Sequence, residues 1–392
     1  MTNRYISARS RAIALSGIRV IWEKTLRLSD VIRMDIGEPD FPPPRKVVQA
    51  LYEAIEEGYT HYSPSSGMAE TREAVAEKAR RENGIDTSPS EVVITPGGSG
   101  ALYLSMMATL NPGDEVLIPD PGWAQYSAMV SLTDAVPVPY RLSENEGYAI
   151  DLDDVRRKIS PKTKLILINT PHNPTGSVLN RRQLEAVADL AMEKDLLILS
   201  DEVYEKFVFD GETHVSIGSF EGMKERVITI NSLSKTYAMT GLRLGYVIAP
   251  QPIADEIAKL NLYVSTCANS AVQRAAVAAL KHEHEEISIM IQEYKKRRDE
   301  VYSRLLEIDG VSCVKPKGAF YLFPNFTNAV SLNSFDFALY LLDTVRVSTV
   351  PGVSFGAAGE NHLRLACTST VERLIHGVEK IAKAVEDLRH KL

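Results

Sequence analysis

Asn231-Ser-Leu-Ser-Lys235-Thr-Tyr-Ala-Met-Thr-Gly-Leu-Arg243-Leu-Gly245 is the stretch on which the reading of this chain turns. Lys235 stands among small hydroxyl residues just after an apolar run, Arg226-Val-Ile-Thr-Ile230. Arg243 follows inside Gly-Leu-Arg-Leu-Gly. The apolar run reads as a buried strand. The Ser-Leu-Ser-Lys turn then sits at a strand's C-terminal end, where open α/β sheets place ligands. Lysine forms imines with carbonyl compounds and reacts only as the neutral amine, which a nearby cation favours. Hydroxyls and a guanidinium around it suit an anchored phosphate. Any single lysine is ordinarily a solvated surface group, but the local pattern argues against that here. An amine, hydroxyls and a cation on one turn suggest pyridoxal phosphate.

The 392 residues are enough for two domains. The apolar fraction of 44% and charged fraction of 24% are ordinary for a globular protein. A net charge of −7 argues against a broad nucleic-acid surface. Cys267, Cys313 and Cys367 are far apart and show no metal-ligand spacing, so neither a zinc site nor a disulfide framework is expected. The first residues carry no signal-peptide core, no apolar run approaches a bilayer span, and a cytoplasmic location is expected. Arg4 to Arg19 is basic and acid-free, as in a transit peptide, but it continues into a plausible first helix.

The middle of the chain alternates short apolar runs with helical patterns. Strands are expected at Glu91–Thr95, Glu115–Ile118, Lys164–Asn169, Leu196–Ser200, Val227–Ile230 and Gly245–Ala249, and helices at Ala101–Leu110 and Arg181–Lys194. Such runs between helices mean a mostly parallel sheet covered on both faces. Ile253 to about Leu305 is strongly helical. Val311–Val314, Gly318–Phe323, Val345–Thr349 and His362–Ala366 then read as strands of a smaller α+β domain, and Val371 to Leu392 as an amphipathic helix. The expected division is an N-terminal arm with part of the small domain (1–44), a large domain (45–285) and a small C-terminal domain (286–392).

Pyridoxal phosphate makes fixed demands: N–H groups, hydroxyls and a cation for the phosphate, a carboxylate for the pyridine nitrogen, donors for the 3-hydroxyl, a stacking partner and a lysine. Gly97-Gly-Ser-Gly-Ala101 follows a strand and opens a helix, which exposes N–H groups to a phosphate. It lacks the third glycine of the dinucleotide pattern. Asp120-Pro-Gly-Trp123, Asn169-Thr-Pro-His-Asn-Pro-Thr-Gly176 and Ser200-Asp-Glu-Val-Tyr204 each close a strand, and His362-Leu-Arg-Leu-Ala366 carries Arg364 amid apolar neighbours. A core tryptophan, a plain proline turn, a pair of metal-ligating acids and a surface salt bridge are the respective ordinary readings.

Taken in order, these motifs resemble those of the pyridoxal-phosphate-dependent class I/II aminotransferases of fold type I, in the aspartate/aromatic group. The likeness runs from about Ile36 to Thr368. It implies that Lys235 is the cofactor lysine and proton shuttle and that Asp201 pairs with the pyridine nitrogen, with Asp120 the competing carboxylate. Asn173 and Tyr204 would donate to the 3-hydroxyl, and Trp123 would stack on the ring. Backbone groups at Gly98, Ser99 and Gly100 would hold the phosphate with Ser232 and Arg243, Ser234 being a further candidate. Arg364 would clamp the substrate α-carboxylate, with Gly37, Trp123 and Asn173 also at the substrate. Tyr62 would reach the phosphate of a neighbouring subunit, which implies a homodimer with shared sites. The implied reaction moves an amino group between an L-amino acid and a 2-oxo acid with ping-pong kinetics.

Some members of that group bind a distal carboxylate through a lysine in the phosphate loop or an arginine from the other subunit. Here the loop reads Gly-Gly-Ser-Gly, and Tyr263 to Asn269 has no arginine. Trp123, Tyr263 and Tyr321 tilt the expectation toward aromatic or broad neutral substrates. The same motifs would serve a C–S lyase, an aminocyclopropane-carboxylate-synthase-like enzyme, a decarboxylase or an oxidase. A cofactor-sensing regulatory module and a nucleotide-binding α/β protein fit less of the chain.

Overall fold

The computed structural model describes residues 5–13 and 17–390. Its centre is an eight-stranded sheet in the order Val92–Thr95, Gly245–Ile248, Val227–Ser232, Leu197–Asp201, Thr163–Asn169, Glu115–Asp120, Val136–Ser143, Ala149–Ile150. The five strands from Val227–Ser232 to Val136–Ser143 run parallel, whereas Gly245–Ile248 is antiparallel to both its neighbours. Side chains of a strand alternate between faces. Leu165 and Leu167 therefore meet the helices Gly97–Thr109, Gln125–Leu132 and Gln251–Ser265, and Ile166 and Ile168 meet Arg181–Glu193 on the other side. Cover on both faces is why these strands read as unbroken apolar runs rather than as alternation.

A second layer follows from the C-terminal third. Leu363–Ala366 lies between Tyr321–Leu322 and Val350–Pro351, antiparallel to each, while Ile32–Arg33 pairs in parallel with Val347–Ser348. Helices Glu285–Leu306, Ser334–Val345 and Val371–Arg389 share one buried core with these strands. The fold is α/β with a smaller α+β layer, as expected from the sequence.

Several boundaries differ from the expectation. Val136–Ser143 was not foreseen, because Pro137 and Pro139 argue against a strand. It pairs on one side only along most of its length, where a missing N–H costs nothing. Val345 ends a helix, Arg346 turns at φ 59°, and only Val347–Ser348 is strand. Val311–Val314 supplies just one bridge, Ser312 to Asn325, and within Gly318–Phe323 only Tyr321–Leu322 forms a strand, with Gly318 bridging to Val208. The long helical stretch is three helices, Gln251–Ser265, Ser270–Lys281 and Glu285–Leu306. The helix expected from Ala101 begins at Gly97, so the glycine loop is itself the first turn. The described part of Arg4–Arg19 includes the helix Ala8–Ala12 and the start of Gly17–Thr25; Arg4 and residues 14–16 lie outside the described residues, as do the last two residues of the expected C-terminal helix.

Candidate active site

Parallel neighbours in register end together. Asn169 lies opposite Asp201, and Asp201 opposite Ile230, so the loops carrying Asn173, Tyr204 and Lys235 all leave the same sheet edge. They open on a cavity of ≈ 1360 Å³ lined by Gly37, Gly98, Ser99, Trp123, Asn173, Asp201, Tyr204, Ser232, Ser234, Lys235, Arg243 and Arg364.

Asp201 is buried at the end of its strand. Its Oδ2 accepts from the Tyr126 hydroxyl at 2.6 Å and its Oδ1 from the Val203 N–H at 3.3 Å. Burial pushes its carboxyl up to about 6, against the pull of Tyr126. The Asn169 amide donates to the Asp201 carbonyl at 2.9 Å and accepts from the Asn173 N–H at 2.9 Å, which ties two strand ends together.

Lys235 lies in the short turn Leu233–Thr236, directly after the strand. Its Nζ donates to the Gly37 carbonyl at 2.6 Å. Burial brings the amine down to about 8, with Arg364 and Arg243 adding to the shift while Glu38 and Asp201 oppose it. Gly37 has no room for a side chain, because a Cβ there would run into the Tyr321 hydroxyl. That hydroxyl is 2.7 Å from the Tyr204 hydroxyl.

The phosphate end is the first turn of Gly97–Thr109. The first N–H groups of a helix have no intrahelical acceptor and carry the positive end of its dipole. Gly98 and Ser99 face the cavity, whereas Gly100 sits one step behind them against Pro96. The Ser232 hydroxyl is 2.9 Å from both the Leu244 carbonyl and the Ser234 hydroxyl. Arg243 sits at φ 57° and donates to the Thr240 carbonyl at 2.7 Å. Its guanidinium lies against Gly97, where a Cβ would stand 2.6 Å from Nη2.

Arg364 is buried, 4% exposed, on the central strand of the second layer. It donates to Asn173 Oδ1 at 3.2 Å and to the Asp35 carbonyl at 2.7 Å, and lies over the rings of Tyr321 and Phe355 at 4.5 and 5.1 Å. Its Nε has no acceptor, and no carboxylate among the described residues pairs with it. A buried cation without a carboxylate partner has the chemistry to take an anion.

Trp123 is half-buried on the cavity wall, edge-on to Tyr126 at 5.4 Å and 84°. Asp120 does not line the cavity; its carboxylate accepts from the Ala358 N–H at 3.1 Å instead. Tyr62 is 86% exposed and lies outside this chain's own cavity. Among the described residues one cluster has metal-ligand spacing, Glu202, Glu205 and His214, but Lys78 and Asn83 already occupy Glu205, and Ser200, Ser216 and His214 occupy Glu202.

Tyr126, Asn169, Tyr321 and Phe355 contribute to this geometry without having been singled out as site residues. For Tyr126 a signal was present, a second aromatic three residues after Trp123.

This donor set fits pyridoxal phosphate. Asp201 matches a protonated ring nitrogen, the Gly97 turn with Ser232 and Arg243 matches a dianion, and Lys235 matches the aldehyde. The family described as aminotransferase class I and II matches residues 29–381. The chain is 40% identical over 385 residues to aromatic-amino-acid aminotransferase 2 of Thermococcus litoralis, covering 97% of this chain and 98% of that one. It is 40% identical over 375 residues to an aspartate aminotransferase of Pyrococcus abyssi, covering 95% and 96%. The fold superposes on the solved aromatic aminotransferase of Pyrococcus horikoshii with a TM-score of 0.89 at 40% identity, covering 94% and 99%. Against Thermus thermophilus aspartate aminotransferase with maleate the TM-score is 0.92 at 35% identity, covering 97% and 99%. The chain belongs to the class I and II aminotransferases, and it is an aminotransferase.

Proposed function

We propose that this aminotransferase holds pyridoxal phosphate between Trp123 and the sheet edge and exchanges amino groups between aromatic or broadly neutral L-amino acids and 2-oxo acids. Bound there, the cofactor supplies the electron sink that such an exchange needs. Asp201, held by the Tyr126 hydroxyl, would keep a positive charge at the ring nitrogen. Asn173 and Tyr204 would donate to the cofactor's 3-hydroxyl. Arg364 grips the substrate α-carboxylate and so sets the Cα proton beside Lys235. The Lys235 amine, brought down to about 8, takes that proton as base and returns it as acid.

The observation that supports this reading is Arg364, a buried guanidinium that lines the same cavity as Lys235 and Asp201 and whose Nε has no acceptor. The apolar lining favours large neutral side chains, with Trp22, Ile18, Phe335 and Val353 among the lining residues. One observation favours dicarboxylic substrates as well. Arg19 is a cation among the lining residues, paired with Glu23 of its own helix at 2.7 Å.

The test is a panel of amino donors and 2-oxo acids scored by half-reaction. Aromatic and neutral donors should convert the cofactor to its amine form without an acceptor present, and Lys235→Ala should abolish the full cycle. Arg19→Gln should lower kcat/KM for aspartate and leave phenylalanine unchanged. Turnover in Lys235→Ala at the wild-type rate would remove the central assignment. We also infer a cytoplasmic homodimer with shared sites. The exposed Tyr62, Leu262 and Tyr263 support the dimer, and the unpaired Cys267, Cys313 and Cys367 support the compartment. Among the described residues no helix is long and apolar enough to cross a membrane.

A further inference from the structure

Asp120 ends the strand Glu115–Asp120 and is followed by the turn that carries Trp123. Its carboxylate faces the other layer of the molecule. Oδ1 accepts from the Ala358 N–H at 3.1 Å, at the start of the tight turn Ala357–Gly359. Such a turn begins with N–H groups that have no acceptor of their own, and an aspartate normally caps them from the preceding residue. Here the preceding residue is Gly356, and the cap comes from a distant strand. Gly356 suits that arrangement twice over. Its φ is 121°, and a Cβ would collide with the Asp120 carboxylate.

A second bond runs beside the first. The Gly122 N–H donates to the Phe355 carbonyl at 2.7 Å. Phe355 is 2% exposed, with its ring edge-on to Phe323 at 5.9 Å and 88° and its face 5.1 Å from the Arg364 guanidinium. One short segment, Asp120 to Gly122, thus grips the residues on both sides of Gly356 and holds the ring on which Arg364 rests.

We propose that Asp120 is a positioning residue for the substrate α-carboxylate, capping the 357–359 turn so that Phe355 fixes the guanidinium of Arg364. The inference rests on the reading of Arg364 as the carboxylate clamp and deepens it. Burial holds the Asp120 carboxyl above its ordinary range while the Ala358 N–H pulls the other way, as for a group kept in place by its acceptor role rather than by a salt bridge.

The experiment uses the holoenzyme and 3-phenylpropionate, a carboxylate without an amino group, with binding followed through the cofactor absorbance and by calorimetry. Asp120→Ala should weaken 3-phenylpropionate binding and raise KM for the amino acid by about fivefold, the worth of a typical cap, with kcat and the absorbance of the resting enzyme unchanged. Asp120→Asn keeps an acceptor oxygen and should restore most of the affinity. In an Arg364→Ala background, Asp120→Ala should add no further loss, because the two act on one contact. Wild-type affinity in Asp120→Ala, or a fall in kcat without a change in KM, overturns the proposal while the clamp reading stands, provided Arg364→Ala loses binding. If Arg364→Ala binds 3-phenylpropionate as the wild type does, the clamp and the latch fall together. Failure of Asp120→Ala to fold leaves Asp120→Asn decisive, since a loss there as large as that in Arg364→Ala contradicts a role through the acceptor oxygen.

Discussion

Lys235 owes its lowered amine to where the chain buries it. Its amine sits near 8 because burial disfavours the charged form and two arginines reinforce that, while Glu38 and Asp201 act against it. The neutral amine is therefore the major form above about pH 8. The apoprotein's rate of capturing pyridoxal phosphate, followed by absorbance, should rise with pH up to about 8 and then flatten. A rise continuing toward pH 10 would mark an ordinary solvated lysine. The stability linkage has a definite sign. A lysine whose folded value is depressed contributes stability that is present above its unfolded value and lost as pH falls through about 8. The proposal of Lys235 as the cofactor lysine was legible in its neighbours along the chain. Its hydrogen bond to Gly37 was not, since 198 positions separate the two.

At the scale of elements, the site depends on how closely one strand passes a helix. A Cβ on Gly245 would stand 2.6 Å from the Gly98 nitrogen, so the strand Gly245–Ile248 runs against the first turn of Gly97–Thr109 with nothing between them. Gly245→Ala should push that turn away from the Ser232 and Arg243 side. Overpacking of this kind costs about 1–3 kcal/mol. A roughly tenfold or greater loss of cofactor affinity is expected in an absorbance titration, with the sheet still folded. The central strands were readable because cover on both faces leaves uninterrupted apolar runs, as in Leu165–Ile168. Val136–Ser143 escaped because its prolines are tolerated only where a strand has a free edge. Neighbouring strands were foreseen; which edge stays free is a property of the assembled sheet.

Over the whole molecule, the cavity is closed by segments that are remote in sequence: Asp35 to Gly37, the sheet loops, and Arg364 from the second layer. The 86% exposure of Tyr62 leaves it free to serve a neighbouring copy. If sites are shared in that way, Lys235→Ala and Tyr62→Ala chains, each impaired alone, should recover activity when unfolded and refolded together. Only the hybrid then holds one site with both residues intact. Mixed chains no more active than the sum of the separate variants would mean that each chain serves itself. Motifs along the chain, through their family resemblance, were enough to propose Lys235, Asp201 and Arg364 for their roles, because each lies in a short pattern that needs no partner to be recognised. The second set of contacts belongs to the folded state alone: Tyr126 on Asp201, Gly37 under Lys235, Phe355 beneath Arg364, and Asp120 turned from a candidate ring partner into a cap. Such contacts join residues whose separation is set by packing between layers, and local periodicity holds no record of that distance.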